Sequence, residues 1–209
     1  MKTRLAVPLF FLCLFFYSCA DTQPEIASVY SRVIYDYEAE NQQPTVRLSV
    51  FAELLSESVR LESVTVKQAD GDYYWTQAPV TVLTDRQKKK KYAGYPYFLM
   101  DRNNSFENGS YILELQDKSD RVISSTFKID LDKSIPSKKE SNSNYYLIIS
   151  NDGAILYAGK WLPELETDEK IKRKYPTAAY YREYHFGKNR NIIYLYPKKS
   201  LGTEDGQSE

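Results

Sequence analysis

Strict alternation of apolar and polar side chains between Val46 and Leu54 is the feature that most restricts the fold. Val46, Leu48, Val50, Ala52 and Leu54 alternate with Arg47, Ser49, Phe51 and Glu53. Successive side chains of a strand point to opposite faces, so this pattern reads as a half-buried β-strand with one polar side. Ser31 to Glu38, carrying Val33, Tyr35 and Tyr37, is a plausible partner joined through Asn41-Gln42-Gln43-Pro44. A third strand over Ser63–Gln68 runs into Asp70-Gly71, a hairpin signal because both residues accept positive φ. Tyr73-Tyr74-Trp75 is the expected return. Asp85 to Asn108 is the least regular part, with Arg86-Gln87-Lys88-Lys89-Lys90-Lys91, then Tyr92, Tyr95, Pro96 and Tyr97, and an Asn-rich tip at 103–108. Alternation resumes at Tyr111, Leu113 and Leu115, turns at Asp117-Lys118-Ser119-Asp120, and returns through Ile123, Phe127, Ile129 and Leu131.

Residues 133–144 are polar, contain Pro136 and lack periodicity, which reads as a linker. A second block, 145–198, opens with strands at 145–149 and 154–157 around the turn signal Asn151-Asp152-Gly153. One helix is expected next, capped by Thr167, with Asp168 and Glu169 at its start, Lys172, Arg173 and Lys174 at its end, and Pro176 as its stop. Its apolar contacts are Ile171 and Tyr175 only, so it reads as a surface element. Residues 178–186 and 191–197 form a last hairpin, and 199–209 read as a disordered tail. The block either folds by itself or adds strands to the first sheet system. Nineteen tyrosines are the main compositional bias. Tyrosine favours strands and pairs an apolar ring with a polar tip.

The run from Gly109 through Tyr111, Leu113 and Leu115 to Phe127 and Ile129 resembles the closing hairpin of bacterial immunoglobulin-like and fibronectin-like domains. The fold class expected is therefore mainly β. It is an immunoglobulin-like antiparallel β-sandwich at 28–132, followed by a smaller β-rich block with one short helix. The Cys…Trp…Cys signature of antibody-type domains is missing, so only the architecture is implied.

The chain begins as an address. Lys2 and Arg4 precede an uncharged apolar run from Leu5 to Tyr17, shorter than the roughly 20 residues a membrane-spanning helix needs, and fitting the h-region of a secretory signal. Small Ser18 is followed by Cys19, after which the chain turns polar. This junction resembles the lipobox of bacterial lipoproteins. Phe16 and Tyr17 depart from the usual Leu and small residue, a relaxation closer to spirochaete-like than to enteric lipoproteins. The resemblance implies cleavage of residues 1–18, acylation of Cys19, a tether over 19–27, and an exported protein held by lipid on the periplasmic side or at the cell surface. Two or more acyl chains give the stable attachment that one alone does not.

Loss of the leader removes Lys2 and Arg4 from a chain with 28 basic and 28 acidic residues. The small acidic balance that remains lacks the basic excess of a nucleic-acid binder. Cys13 leaves with the leader and Cys19 is committed to lipid, so the folded part has no thiol for a disulfide, a nucleophile or a metal site. His185, the only histidine, lies on the strand face opposite Tyr184 and Phe186, with Glu183 as its neighbour. Without a second histidine it reads as structural or exposed. No Gly-x-Ser-x-Gly and no phosphate-cradling glycine loop occurs. No catalytic, metal or cofactor residues are assigned, and the chain reads as a non-catalytic binding or structural module, with a glycan- or envelope-binding protein as the alternative and an enzyme of unknown reaction third.

The most suggestive surface is Lys88, Lys89, Lys90, Lys91, Tyr92, Tyr95 and Tyr97. It reads either as a solvated loop with a strand following, or as a basic loop with aromatic anchors for an anionic glycan, a lipid headgroup or a protein. Tyr73-Tyr74-Trp75 is a second aromatic cluster, able to stack on sugar rings or to fill a core. Expected partners are the membrane through the lipid and another envelope protein, a host protein or a glycan.

Overall fold

The computed structural model describes residues 25–56, 60–100, 106–131, 145–187 and 190–202. Cys19 with the leader, the Asn-rich 103–105, the expected linker at 133–144 and the chain beyond 202 lie outside them.

Twelve strands form two sheets. The first eight are β1 (Ile26–Asp36), β2 (Thr45–Leu54), β3 (Leu61–Gln68), β4 (Tyr74–Gln77), β5 (Thr81–Asp85), β6 (Lys90–Leu99), β7 (Gly109–Asp117) and β8 (Val122–Ile129). The rest are β9 (Tyr145–Ser150), β10 (Ile155–Lys160), β11 (Ala178–Phe186) and β12 (Ile192–Ser200), with a 3-10 turn at Pro163–Leu165 and one helix, α1 (Asp168–Lys174). The larger sheet runs β10-β9-β11-β12-β1-β2-β6-β5 and the smaller runs β4-β3-β7-β8. The chain is thus mainly β with a sandwich core and one short helix, the class its alternation predicts.

Alternation assigns the faces. Leu48, Val50 and Ala52 of β2, Val64 and Val66 of β3, and Leu113 and Leu115 of β7 are all fully buried between the sheets. Phe98, Phe106, Tyr111 and Ile192 join the same core. Tyr111 also closes a polar loop, since its hydroxyl donates to the Glu107 carbonyl at 3.0 Å and accepts from the Glu107 N–H at 3.2 Å. A tyrosine bonded to backbone a few residues upstream is similar to the tyrosine corner found in immunoglobulin-type sandwiches.

The hairpins legible in the sequence are present. The β1–β2, β3–β4, β7–β8, β9–β10 and β11–β12 pairs are all antiparallel. Gly153 takes φ +84° in the β9–β10 turn, where the Ser150 N–H donates to the Ala154 carbonyl at 3.0 Å. Thr167 caps α1 by accepting the Lys170 N–H at 3.3 Å.

Four details depart from expectation. First, β1 starts at Ile26 and the Leu55 N–H donates to the Glu25 carbonyl at 2.9 Å, so the end of the stretch read as tether belongs to the sheet. Second, much of the irregular-looking 85–108 is the ten-residue strand β6, paired on both sides by β2 and β5. Gly94 fits there because β2 runs so close that a Cβ would lie 2.0 Å from the Val50 carbonyl oxygen. Third, β12 continues to Ser200 and Leu201 is buried, so the chain stays ordered past 198. Fourth, α1 is anchored, not merely superficial, since Ile171 packs with Leu165, Ile148, Ala178 and Leu201.

The strands beyond 144 extend the larger sheet through one parallel pair, β1 with β12, in register from Val33–Ile192 to Asp36–Leu195. Tyrosines line that junction. Tyr35 stacks with Tyr194 (centroids 5.2 Å apart) and Tyr37 with Tyr196 (5.9 Å). On the opposite face, Arg182 of β11 reaches across β12. Its Nε donates to the Tyr196 carbonyl at 2.6 Å and its Nη2 donates to Asp36 Oδ1 at 2.6 Å. Arg47 of β2 approaches the same carboxylate, with Nε 3.6 Å from Oδ2. That is ion-pair range but too long for a hydrogen bond, and Arg47 Nη1 donates instead to the Pro96 carbonyl at 2.8 Å.

Removing one member of such a buried set strands the others, a loss of about 3–5 kcal/mol. Asp36→Ala is therefore expected to lower unfolding stability by roughly that amount in urea titration. A change no larger than that of an exposed substitution would show the carboxylate to be dispensable.

Candidate functional site

The smaller sheet covers the inner face of β12, β1, β2 and β6, as the shared core shows. On the outer face, register aligns Tyr30 with Phe51 and Phe51 with Gly94, then Glu53 with Tyr92 and Tyr92 with Leu83. Tyr30, Leu83, Tyr97 and Leu99 on this face are between 43% and 49% exposed. Arg47 lies over the Tyr97 ring at 4.6 Å. This aromatic and aliphatic surface, interspersed with arginine, is the candidate site.

At the Leu54 end of this face sits a nearly buried carboxylate. Glu53 Oε1 pairs with Lys90 Nζ at 2.6 Å, while Oε2 accepts from the hydroxyls of Tyr30 at 2.9 Å and Ser28 at 3.4 Å. The hydrogen bond from Lys90, then that from Tyr30, holds the Glu53 carboxyl below the usual glutamate range. The same bond raises Lys90. Burial, with Glu53 nearby, raises Tyr92, whose ring meets Tyr30 edge-on at 5.8 Å.

The surface read from sequence as one patch is divided by β6. Lys88 and Lys89 are exposed on the β5–β6 turn, and Lys90 and Lys91 start the strand, half-buried. Tyr92 and Tyr97 belong to the outer face, whereas Tyr95 turns inward against Phe98 and the core. Lys90 is thus tied to the fold and Lys88 to solvent, a difference a run of identical residues conceals. Tyr30, Glu53 and Arg47 were missed as members because they come from other strands, and only the register joins them. Of the second aromatic cluster, Tyr73 and Tyr74 are exposed at the edge of the smaller sheet while Trp75 packs on Phe106 at 5.5 Å.

His185 has a structural setting. Its Nδ1 lies 2.8 Å from the Tyr196 hydroxyl and its ring stacks on Tyr194 with centroids 4.6 Å apart. Glu183 is buried and accepts from Lys199 Nζ at 2.7 Å. Tyr146 and Tyr181 flank that pair, both raised chiefly by burial, and Trp161 packs on Tyr146 at 4.3 Å. Among the described residues no group of three or more histidines, cysteines or carboxylates is placed to hold a metal ion.

No protein family, curated protein or solved structure matches the chain.

A carboxyl held below its ordinary value of 4.5 adds stability above that pH and loses it as pH falls through the folded value. Glu53→Gln should therefore lower Tm at neutral pH, and the gap from the wild type should close below pH 4.5. Thermal melts across that range check it. Lys90→Ser should lower Tm as well, while Lys88→Ser should leave it unchanged. Equal effects of the two lysine changes would contradict the division made by β6.

Proposed function

We propose that the chain is an exported, lipid-anchored module of a bacterial envelope that works by binding, not catalysis. The observation that carries the reading is the passage from an apolar leader through Ser18 to Cys19 and then into polar sequence, which resembles a secretory signal ending in a relaxed lipobox. Strand β1 starts at Ile26, close enough in sequence to Cys19 for the lipid to hold the sandwich near the bilayer.

Support for binding comes from the outer face. Tyrosine and arginine are the residues protein interfaces favour, and Tyr30, Tyr92, Tyr97, Arg32 and Arg47 share this side of one sheet. Support for a non-catalytic role comes from occupied acids and bases. Glu53 is engaged by Lys90, Glu183 by Lys199, and His185 by Tyr196. The partner on this reading is another envelope protein or a host protein. A glycan ligand is the second reading, favoured by Tyr73 and Tyr74, consecutive at a sheet edge and 50% and 71% exposed, with Tyr73 stacked on Trp75.

Acylation is checked by mass spectrometry of the mature N-terminal peptide. Cys19→Ala should leave the precursor uncut and move the protein out of the detergent phase. Unchanged cleavage and partitioning would remove the lipoprotein reading. Tyr97→Asp should weaken capture of a purified partner at least tenfold with Tm unaltered, and an unaltered affinity would take the outer face out of the binding surface.

A further inference from the structure

The start of the ordered chain and the most basic turn lie at the same end of the sandwich. Register sets Ile26 opposite Leu54, Leu54 opposite Lys91, and Lys90 opposite Asp85. Strands sit about 5 Å apart, so the β5–β6 turn, Arg86–Lys89, lies within about 15 Å sideways of Ile26 and projects past it. The same end carries Arg60 at the start of β3 and Lys118 in the β7–β8 turn, where the Lys118 N–H donates to the Arg60 carbonyl at 3.0 Å. Leu55, 60% exposed, and Val122, 51% exposed, add apolar area there.

The turn is built to present its cations. Asp85 Oδ1 accepts the N–H groups of Gln87 at 3.0 Å and Lys88 at 3.1 Å, and Lys89 takes φ +53°. Arg86, Lys88 and Lys89 are all exposed. Among the described residues the acids at this end are largely engaged in ion pairs or hydrogen bonds, with Asp85 and Asp120, bonded to amide groups, keeping their charge. Glu53 faces Lys90, Asp117 faces Arg121, Asp120 accepts from Gln116, and Asp85 holds the turn itself. Glu25 and Glu62 remain exposed beside them, away from the tip of the turn.

Chain length fixes what lies opposite. From Cys19 to Glu25 the backbone reaches at most roughly 21 Å. The other basic group, Lys170, Lys172, Arg173 and Lys174 of α1, sits at the far end. β12 runs parallel to β1 and passes it from Leu195 to Ser200 before Leu201 meets Ile171. That places α1 on the order of 50 Å from Ile26 at about 3.3 Å per strand residue, beyond the tether.

We infer that the Arg86–Lys89 turn is a membrane-contact site. It binds the anionic phospholipid headgroups of the bilayer that holds the Cys19 lipid, and so stands the sandwich on end with α1 pointing away. The orientation rests on the Cys19 reading above, whereas the headgroup affinity of the turn does not. Basic side chains near an anionic surface contribute about 1 kcal/mol each, so three of them give roughly a hundredfold preference for an anionic over a zwitterionic bilayer.

The test uses the full chain carrying Cys19→Ser, with vesicles of phosphatidylcholine alone or with about one-quarter phosphatidylglycerol, at about 0.1 M salt. Lys2 and Arg4 of the leader add the same anionic preference to every variant, so the difference between variants on the two vesicle types reports the turn. The wild-type turn should show the anionic preference, and Arg86→Gln with Lys88→Gln and Lys89→Asn should lose most of it at unchanged Tm. Lys170→Gln with Lys172→Gln and Arg173→Gln, the same charge removed from α1, should retain it. Equal preference with and without the turn cations overturns the inference, and so does an equal loss from the α1 variant. A preserved preference alongside an unacylated Cys19 in the native protein overturns the anchor and its orientation while supporting the headgroup contact.

Discussion

One carboxylate, that of Asp36, sits where the larger sheet would otherwise come apart. To one side β11 and β12 belong to the last quarter of the chain, and to the other β2 and β6 belong to the first half. Arg182 spans β12 to reach Asp36, and Arg47 closes on it from β2. Burial lowers the Arg47 guanidinium, and the nearby Asp36 charge partly restores it. Such an arrangement is poor evidence of net stability, because desolvation consumes much of the Coulombic gain. Its specific contribution is geometric. Donors fixed to the backbone of β12 and an acceptor on β1 meet at one alignment, and a slipped register would leave buried charge unpaired.

Tyrosine performs the apolar half of the same task. Tyr35 with Tyr194 and Tyr37 with Tyr196 stack across the parallel junction on the face opposite the charges. A stacked aromatic pair contributes about 0.5–1.5 kcal/mol beyond its buried area. These rings lie at the middle of the sheet, Tyr35, Tyr194 and Tyr196 buried and Tyr37 partly so, and the Tyr196 hydroxyl meets the His185 ring.

Local features were legible in the sequence and distant ones were not. The Asp70-Gly71 and Asn151-Asp152-Gly153 turns, the Thr167 cap and the Tyr111–Ile129 hairpin depend on neighbours a few residues away, so composition encodes them directly. The β1–β12 pair joins Val33 to Ile192, and nothing in either segment names the other. Strand β6 was obscured for a different reason. Paired on both sides and carrying Gly94 and Pro96, it shows neither clean alternation nor a continuous apolar run. The lysines that begin it resemble a loop until Glu53 is found opposite. The open sheet face was half legible, since Tyr92 and Tyr97 stood out by sequence while Tyr30 and Arg47 needed the register to join them.

The parallel junction also sets an order of events during synthesis. Strand β1 is the first of the described strands to be made and β12 the last, so one edge of β1 has no neighbour until all the strands between them have emerged. Pairings of this sequence separation require a long loop to close before they are rewarded, which slows folding and leaves an open edge exposed meanwhile. The sheet cannot close early, and the segment that completes its middle is the last of its described strands to be made.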